Sequence, residues 1–222
     1  MTHSFKLADL SDLFRVVLFT GAREGKWPAP HFVRLNAVLG LCGEAGEVSD
    51  ALRYRDVEGA VEENRAARLH LVSELADVLW YFAYYYLADS GPANADFVQC
   101  AMAQSLTERL DAACAYELLM LQKVEAKHGI LCLFEGTSRA ADELKKNLCH
   151  ERPLRPHIMD SALRMALSGM AEILVARNIS VEECVQQSVI KQRARYPNGF
   201  SVAAAAQRAD EQPPLTLNVF SE

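Results

Sequence analysis

Apolar residues return at helical spacing along almost the whole chain. Leu7, Leu10, Leu13, Phe14, Val17 and Leu18 mark one face of a first helix over 7–22, with Gly21 as its stop. A second helix is predicted over 31–54. A third follows over 68–89, its apolar side carrying Leu71, Leu75, Val78, Leu79, Phe82 and Tyr86. The polar, acidic run 55–66 reads as the loop between them, and Ser90-Gly91-Pro92 closes the third helix. Beyond it, 95–128 is one long helix or two with a bend, and 138–149 is a short one. After the break at Pro153 and Pro156 come helices over 158–177 and 181–195. Ser180 with Glu183 three residues on is a capping-box pattern for the last of these. Tyr196-Pro197-Asn198-Gly199 is a turn, 201–210 a further short helix, and the tail from Gln212 is expected to extend or fray. No strand pattern precedes that tail. The fold class is all-α, a helical bundle.

Two of these helices carry acids. Glu44 and Glu47 lie on the second, Glu74 and Asp77 on the third, each pair three residues apart and so on one helix face. Both pairs stand among small and apolar residues, where an unpaired carboxylate is costly. Four acids on two packed helices repel unless a cation sits between them, and a hard divalent metal takes oxygen ligands. Glycines at 40, 43 and 46 run beside the first pair. Glycine is a poor helix former, so the run implies either a close helix approach or room for a ligand.

Composition narrows the partners. The chain has 222 residues, is 50% hydrophobic and 23% charged, and carries a net charge of −6, which argues against a nucleic-acid partner. The longest apolar run, 78–88, is too short to span a bilayer, and the N-terminus lacks a signal-peptide pattern. Cys42, Cys100, Cys114, Cys132, Cys149 and Cys184 form no CxxC pair. They are expected to be reduced core residues of a cytoplasmic protein.

The text around the acids, GLCGEAGEV (40–48) and ELADVLWY (74–81), together with NISVEECVQQSVIKQRARYPNGFS (178–201), resembles the MazG-like branch of the all-α nucleoside triphosphate pyrophosphohydrolases. The resemblance covers about 30–90 and 160–201. It implies a bundle of that type with an extra helical second half, since about 70–80 residues separate the acidic helices from the closing segment. That length is similar to the dimeric dUTPases. The domain reading is a single all-α domain over 1–201, with an acidic catalytic half at 7–92, a second half at 93–201 and a tail at 202–222. The second half holds Glu108 and Asp111 at ExxD spacing without a partner ExxE, and reads as a solvated face or a relic. SGPANADFVQ (90–99) faintly echoes RNISVEECVQ (177–186), which shared helix grammar alone produces as readily as duplicated halves do.

The resemblance implies Mg2+, with Mn2+ as a substitute, bound by Glu44, Glu47, Glu74 and Asp77. It implies hydrolysis of a nucleoside triphosphate at the α–β bond to a monophosphate and pyrophosphate. Glu44 and Glu47 are the catalytic candidates, Glu47 more than Glu44 for contact with the attacking water. Lys191, Arg195 and Tyr196 match the closing motif and are expected to meet the phosphates from the side opposite the acids. Arg53 and Arg55 are further phosphate candidates. Trp27 either packs its loop onto the bundle or stacks on a base. Relatives often carry an asparagine where Ser188 stands, which bears on substrate identity more than on the reaction. A dUTPase- or dCTPase-like preference is the enzymatic alternative. A non-catalytic nucleotide- or metal-binding regulator is the alternative of another class. A homodimer is expected because a face as apolar as 78–87 rarely stays exposed, with a pseudo-symmetric monomer as the other option.

Overall fold

The computed structural model describes residues 9–23, 26–53, 61–120 and 125–207. Among them are eight α-helices: α1 (Ser11–Gly21), α2 (Pro30–Ala51), α3 (Val61–Tyr86), α4 (Ala95–Met120), α5 (Ala126–His150), α6 (Pro156–Arg177), α7 (Val181–Arg195) and α8 (Val202–Gln207). A single 3-10 turn, Gly91–Asn94, links α3 to α4. No strand occurs among the described residues, and the all-α bundle expected from periodicity is the observed fold.

Local signals explain most boundaries. Pro30 opens α2 and Pro156 opens α6, each at a first-turn position where the missing N–H costs nothing. Asn178 ends α6 in the left-handed region at φ 50°. Ser180 then caps α7: its hydroxyl accepts from the Glu183 backbone N–H, while the Glu183 carboxylate accepts from the Ser180 N–H at 2.8 Å.

Three expectations need correction. The loop placed at 55–66 is helical from Val61 onward. Residues 54–60, Arg55 among them, lie outside the described residues. The short helix at 138–149 is the second half of α5, which runs unbroken from Ala126 to His150. Gly129 and Gly136 lower its local helix propensity, but tertiary contact with α6 overrides this. A Cβ at Gly136 would lie 2.5 Å from the Ala162 carbonyl oxygen, so glycine permits that seam. Finally, only Cys184 of the six cysteines is buried. The others lie on partly wetted helix faces, so an apolar stretch of sequence did not imply a core position for each. None is disulfide-bonded. Leu7 and the tail from Gln212 are outside the described residues.

Packing joins two helical hairpins. The α2–α3 pair and the α5–α6 pair meet through α2 and α5, where the Cys42 thiol donates to the Thr137 carbonyl at 3.6 Å. The helix following each hairpin crosses to the other one: α4 lies on α6, and α7 lies on α3. These are the two helices introduced by the echoing segments at 90–99 and 177–186. Leu75, Leu79, Phe82 and Leu87 are fully buried, and α1, α2 and α7 of the same chain pack on α3. The apolar face at 78–87 is therefore covered within one chain, which removes the reason it gave for a second copy. Glu108 and Asp111 are exposed, as a solvated face would be.

Candidate functional site

The acids gather where α2 passes α3. One carboxylate oxygen from each of Glu44, Glu74 and Asp77 lies within 4.8 Å of the others. Glu74 and Asp77 are buried and Glu44 is half-buried. Helix geometry accounts for this. Antiparallel packing sets Gly40 against Tyr81, where an added Cβ would sit 2.2 Å from the ring, and one turn on, Glu44 comes abreast of Asp77. Of the three glycines, only Gly40 serves close approach. Nothing lies within 4 Å of a Cβ built at Gly43 or Gly46.

Glu47 is the outermost of the four acids. It is exposed, where the sequence reading embedded it among apolar residues, and it shares a side-chain hydrogen bond with Glu74. It therefore forms the rim of the cluster. Exposure follows from its position just off the buried stripe of Leu41, Ala45 and Val48.

Electrostatics reflect the crowding. Burial, then repulsion from Asp77, Glu47 and Glu74, pushes the Glu44 carboxyl up to about 8. Burial raises Glu74 to about 7, against the opposing pull of Lys191. The Glu44 Oε2 atom is buried without a hydrogen-bond partner among the described residues. The Lys191 ammonium bridges Asp77 at 2.5 Å and donates to the Ser73 hydroxyl at 2.9 Å. Lys191 thus lies inside the acid cluster and not across from it, because a buried aspartate needs a charge partner and α7 lies directly on α3.

A cleft of about 190 Å³, open to solvent, extends from Glu44 and Asp77. Arg195 and Tyr196 line it, as the closing motif suggested. Sequence reasoning missed the rest of its wall: Trp80, Tyr81 and Tyr84 on α3, Asn36 on α2, Gln192 on α7, and Arg23. A signal for several of these was present. Asn36, Gly40 and Glu44 step along one face of α2 at four-residue spacing, and Asp77, Tyr81 and Tyr84 share a face of α3 at spacings of four and three. Burial, with Glu44 and Asp77 nearby, lifts the Tyr81 phenol to about 12, so it stays a hydrogen-bond donor. The Arg23 guanidinium lies 4.3 Å from the Phe32 ring centroid and 5.3 Å from that of Phe200.

The remaining candidates fall elsewhere. Trp27 meets Tyr84 edge-on at 5.5 Å and packs over Gly21 and Gly91, behind the cleft wall. Arg53 is exposed and pairs with Asp50 at 3.3 Å. Ser188 is fully buried on α7 with its hydroxyl unpartnered among the described residues.

The raised carboxyls give a sign to pH dependence. Glu44 and Glu74 both titrate higher when folded than the ordinary 4.5. Their contribution is fully present below about pH 4.5 and is lost as pH rises through about 7 and 8. The protein should therefore melt at a lower temperature near pH 9 than near pH 5.5. Thermal melts across that range check this, and a melting temperature that climbs with pH would contradict it.

Compared with known proteins, the chain matches no family model, no curated protein and no solved structure.

Proposed function

We propose that this protein is a Mg2+-dependent nucleoside triphosphate pyrophosphohydrolase, cleaving between the α and β phosphates to release pyrophosphate. The observation carrying this reading is the convergence of Glu44, Glu74 and Asp77 within 4.8 Å at the head of a cleft. The motif text around these acids supports it.

The donor set suits the ion. Three carboxylates offer hard oxygen ligands, one of them with a buried, unpartnered oxygen at Glu44. Two carboxyls are held well above the ordinary range by burial and by the acids around them. Glu44, Glu74 and Asp77 would hold the metal. Once bound, it screens the polyanionic phosphates and lowers the pKa of a bound water; Mn2+ is an allowed substitute.

The chain's own groups do the rest. Glu47, outside the converging three and open to water, takes the proton from the attacking water. Arg195 reaches the phosphates from α7, with Lys191 balancing charge at Asp77. Tyr81 donates a hydrogen bond from the cleft wall. The aromatic wall of Trp80, Tyr84 and Phe200 receives the base, while Trp27 supports Tyr84 from behind. One chain contains every group named, so the catalytic unit is a monomer whose second hairpin completes the bundle. A homodimer, a dUTPase- or dCTPase-like base preference and a cytoplasmic, pool-sanitising role are compatible with this reading.

Incubating purified protein with each canonical and deoxy triphosphate, with and without Mg2+, tests the proposal. Metal-dependent pyrophosphate release from at least one is expected. Silence across the whole panel would sink the enzyme reading and leave the non-catalytic binder. Glu47→Gln should lower kcat by about 10²–10⁴-fold, the range for a lost general base, with KM little changed; full activity in that variant would remove Glu47 from the proton-transfer role.

A further inference from the structure

A second cluster of metal-ligating side chains lies away from the cleft, on the outer face of the α5–α6 hairpin. His128 and Cys132 are one turn apart on α5, and Glu172 comes from α6. Their ligand atoms all lie within 4.8 Å of one another. The His128 Nδ1 atom is 2.5 Å from the Glu172 carboxylate. The Cys132 sulfur is 3.9 Å from Nδ1 and 3.8 Å from Nε2 of the same ring.

The backbone builds this arrangement. A Cβ at Gly129 would sit 2.7 Å from the Gly169 carbonyl oxygen, and one at Gly169 would sit 2.3 Å from the Gly129 oxygen. Two glycines thus let the helix backbones touch. His128 adjoins the first glycine and Glu172 lies one turn past the second, so the close crossing is what brings a carboxylate from α6 onto the ring on α5.

We propose that His128, Cys132 and Glu172 form a three-ligand site for one divalent ion of the zinc class, joining α5 to α6. Imidazole, thiolate and carboxylate together are the donors zinc accepts, and the softer sulfur disfavours magnesium. Zinc–nitrogen and zinc–sulfur bonds of about 2.0 and 2.3 Å at a tetrahedral angle place N and S about 3.5 Å apart, close to the observed separations. With a neutral His128, the single ring proton sits on the nitrogen that does not face the ion and the Cys132 thiol proton passes to solvent, so one proton is released per ion bound. A water takes the fourth position, which the exposed His128 leaves open. The neighbouring Glu135 adds negative charge to the same face. A cysteine nucleophile activated by the histidine fits less well. The sulfur's contacts to the ring nitrogens are long, at 3.9 and 3.8 Å, and burial, then Glu172 and Glu135, raises its pKa.

Cobalt titration of the full chain tests the site independently of the cleft. Co2+ bound to a thiolate gives a sulfur-to-metal charge-transfer band that carboxylates alone cannot produce. One equivalent is expected to develop that band. Cys132→Ser should abolish it, and His128→Gln, at an exposed position, should weaken Co2+ binding by about tenfold or more, the least expected for a lost ligand. Glu44→Gln should leave the band intact. The proposal is overturned if no band appears, if it survives in Cys132→Ser, or if His128→Gln binds as tightly as the parent.

Discussion

Glu44→Gln is expected to abolish turnover while making the metal-free protein more stable at alkaline pH. The two effects have one cause. Glu44 is half-buried beside Asp77 and Glu74, and its carboxyl is pushed up to about 8. Holding it ionised costs folding free energy, and an amide of the same shape removes that cost. The same substitution removes an oxygen donor from the convergent three. Even outer-shell partners of a metal site cost about 10–100-fold when lost, so a direct ligand should cost at least about 100-fold in kcat/KM. Pyrophosphate assays and melts near pH 9 provide both readouts. A variant that loses stability at every pH would mean that the carboxylate is a structural partner. A variant that keeps full activity would remove Glu44 from the site.

The largest expected loss of stability lies in the other hairpin. Gly169→Ala brings a Cβ to 2.3 Å from the Gly129 carbonyl oxygen and 2.5 Å from the Leu133 nitrogen. Both are backbone atoms, so no rotamer change relieves the contact. Alanine gains about 1 kcal/mol in helix propensity over glycine. Overpacking against an unyielding neighbour costs about 3 kcal/mol. The clash wins, and a net loss of about 2 kcal/mol should lower the urea midpoint with an unchanged slope. Gly43→Ala is the control. Nothing lies within 4 Å of its added methyl, so propensity alone acts and stability should rise by up to about 1 kcal/mol. An unchanged midpoint in Gly169→Ala would show that α5 and α6 can separate at little cost.

The contrast between these glycines marks how far the sequence could be read. Periodicity and caps placed α2, α6 and α7 within a few residues, because each signal is local, whereas α3 begins seven residues before its expected start. The Ser180–Glu183 box is written in four adjacent residues and occurs as read. The full length of α5 was not legible. Gly129 and Gly136 speak against a helix locally, and only their contact with α6 reverses that. The acids were legible as pairs on helix faces, but burial differs within a pair. Glu47 faces water while Glu44 turns toward Asp77, a difference set by where α3 lies and not by spacing along α2. Lys191 shows the same limit. Its place on α7 could be read, but its contact with Asp77, more than a hundred residues away in sequence, depends on α7 crossing back to α3. Trp80, Tyr81 and Tyr84 were legible only as part of the apolar run 78–88. Their second role, lining the cleft, exists only once Arg195 and Tyr196 close it from the other side.

The central claim concerns which bond is broken at the acid cluster. Turnover in heavy-oxygen water with Mg2+, followed by mass analysis of both products, tests it most directly. Expected are nucleoside monophosphate and pyrophosphate in equal amounts, one heavy oxygen in one of the two, and no turnover in Asp77→Asn. Nucleoside diphosphate with orthophosphate as the products, or undiminished turnover in that variant, would contradict it.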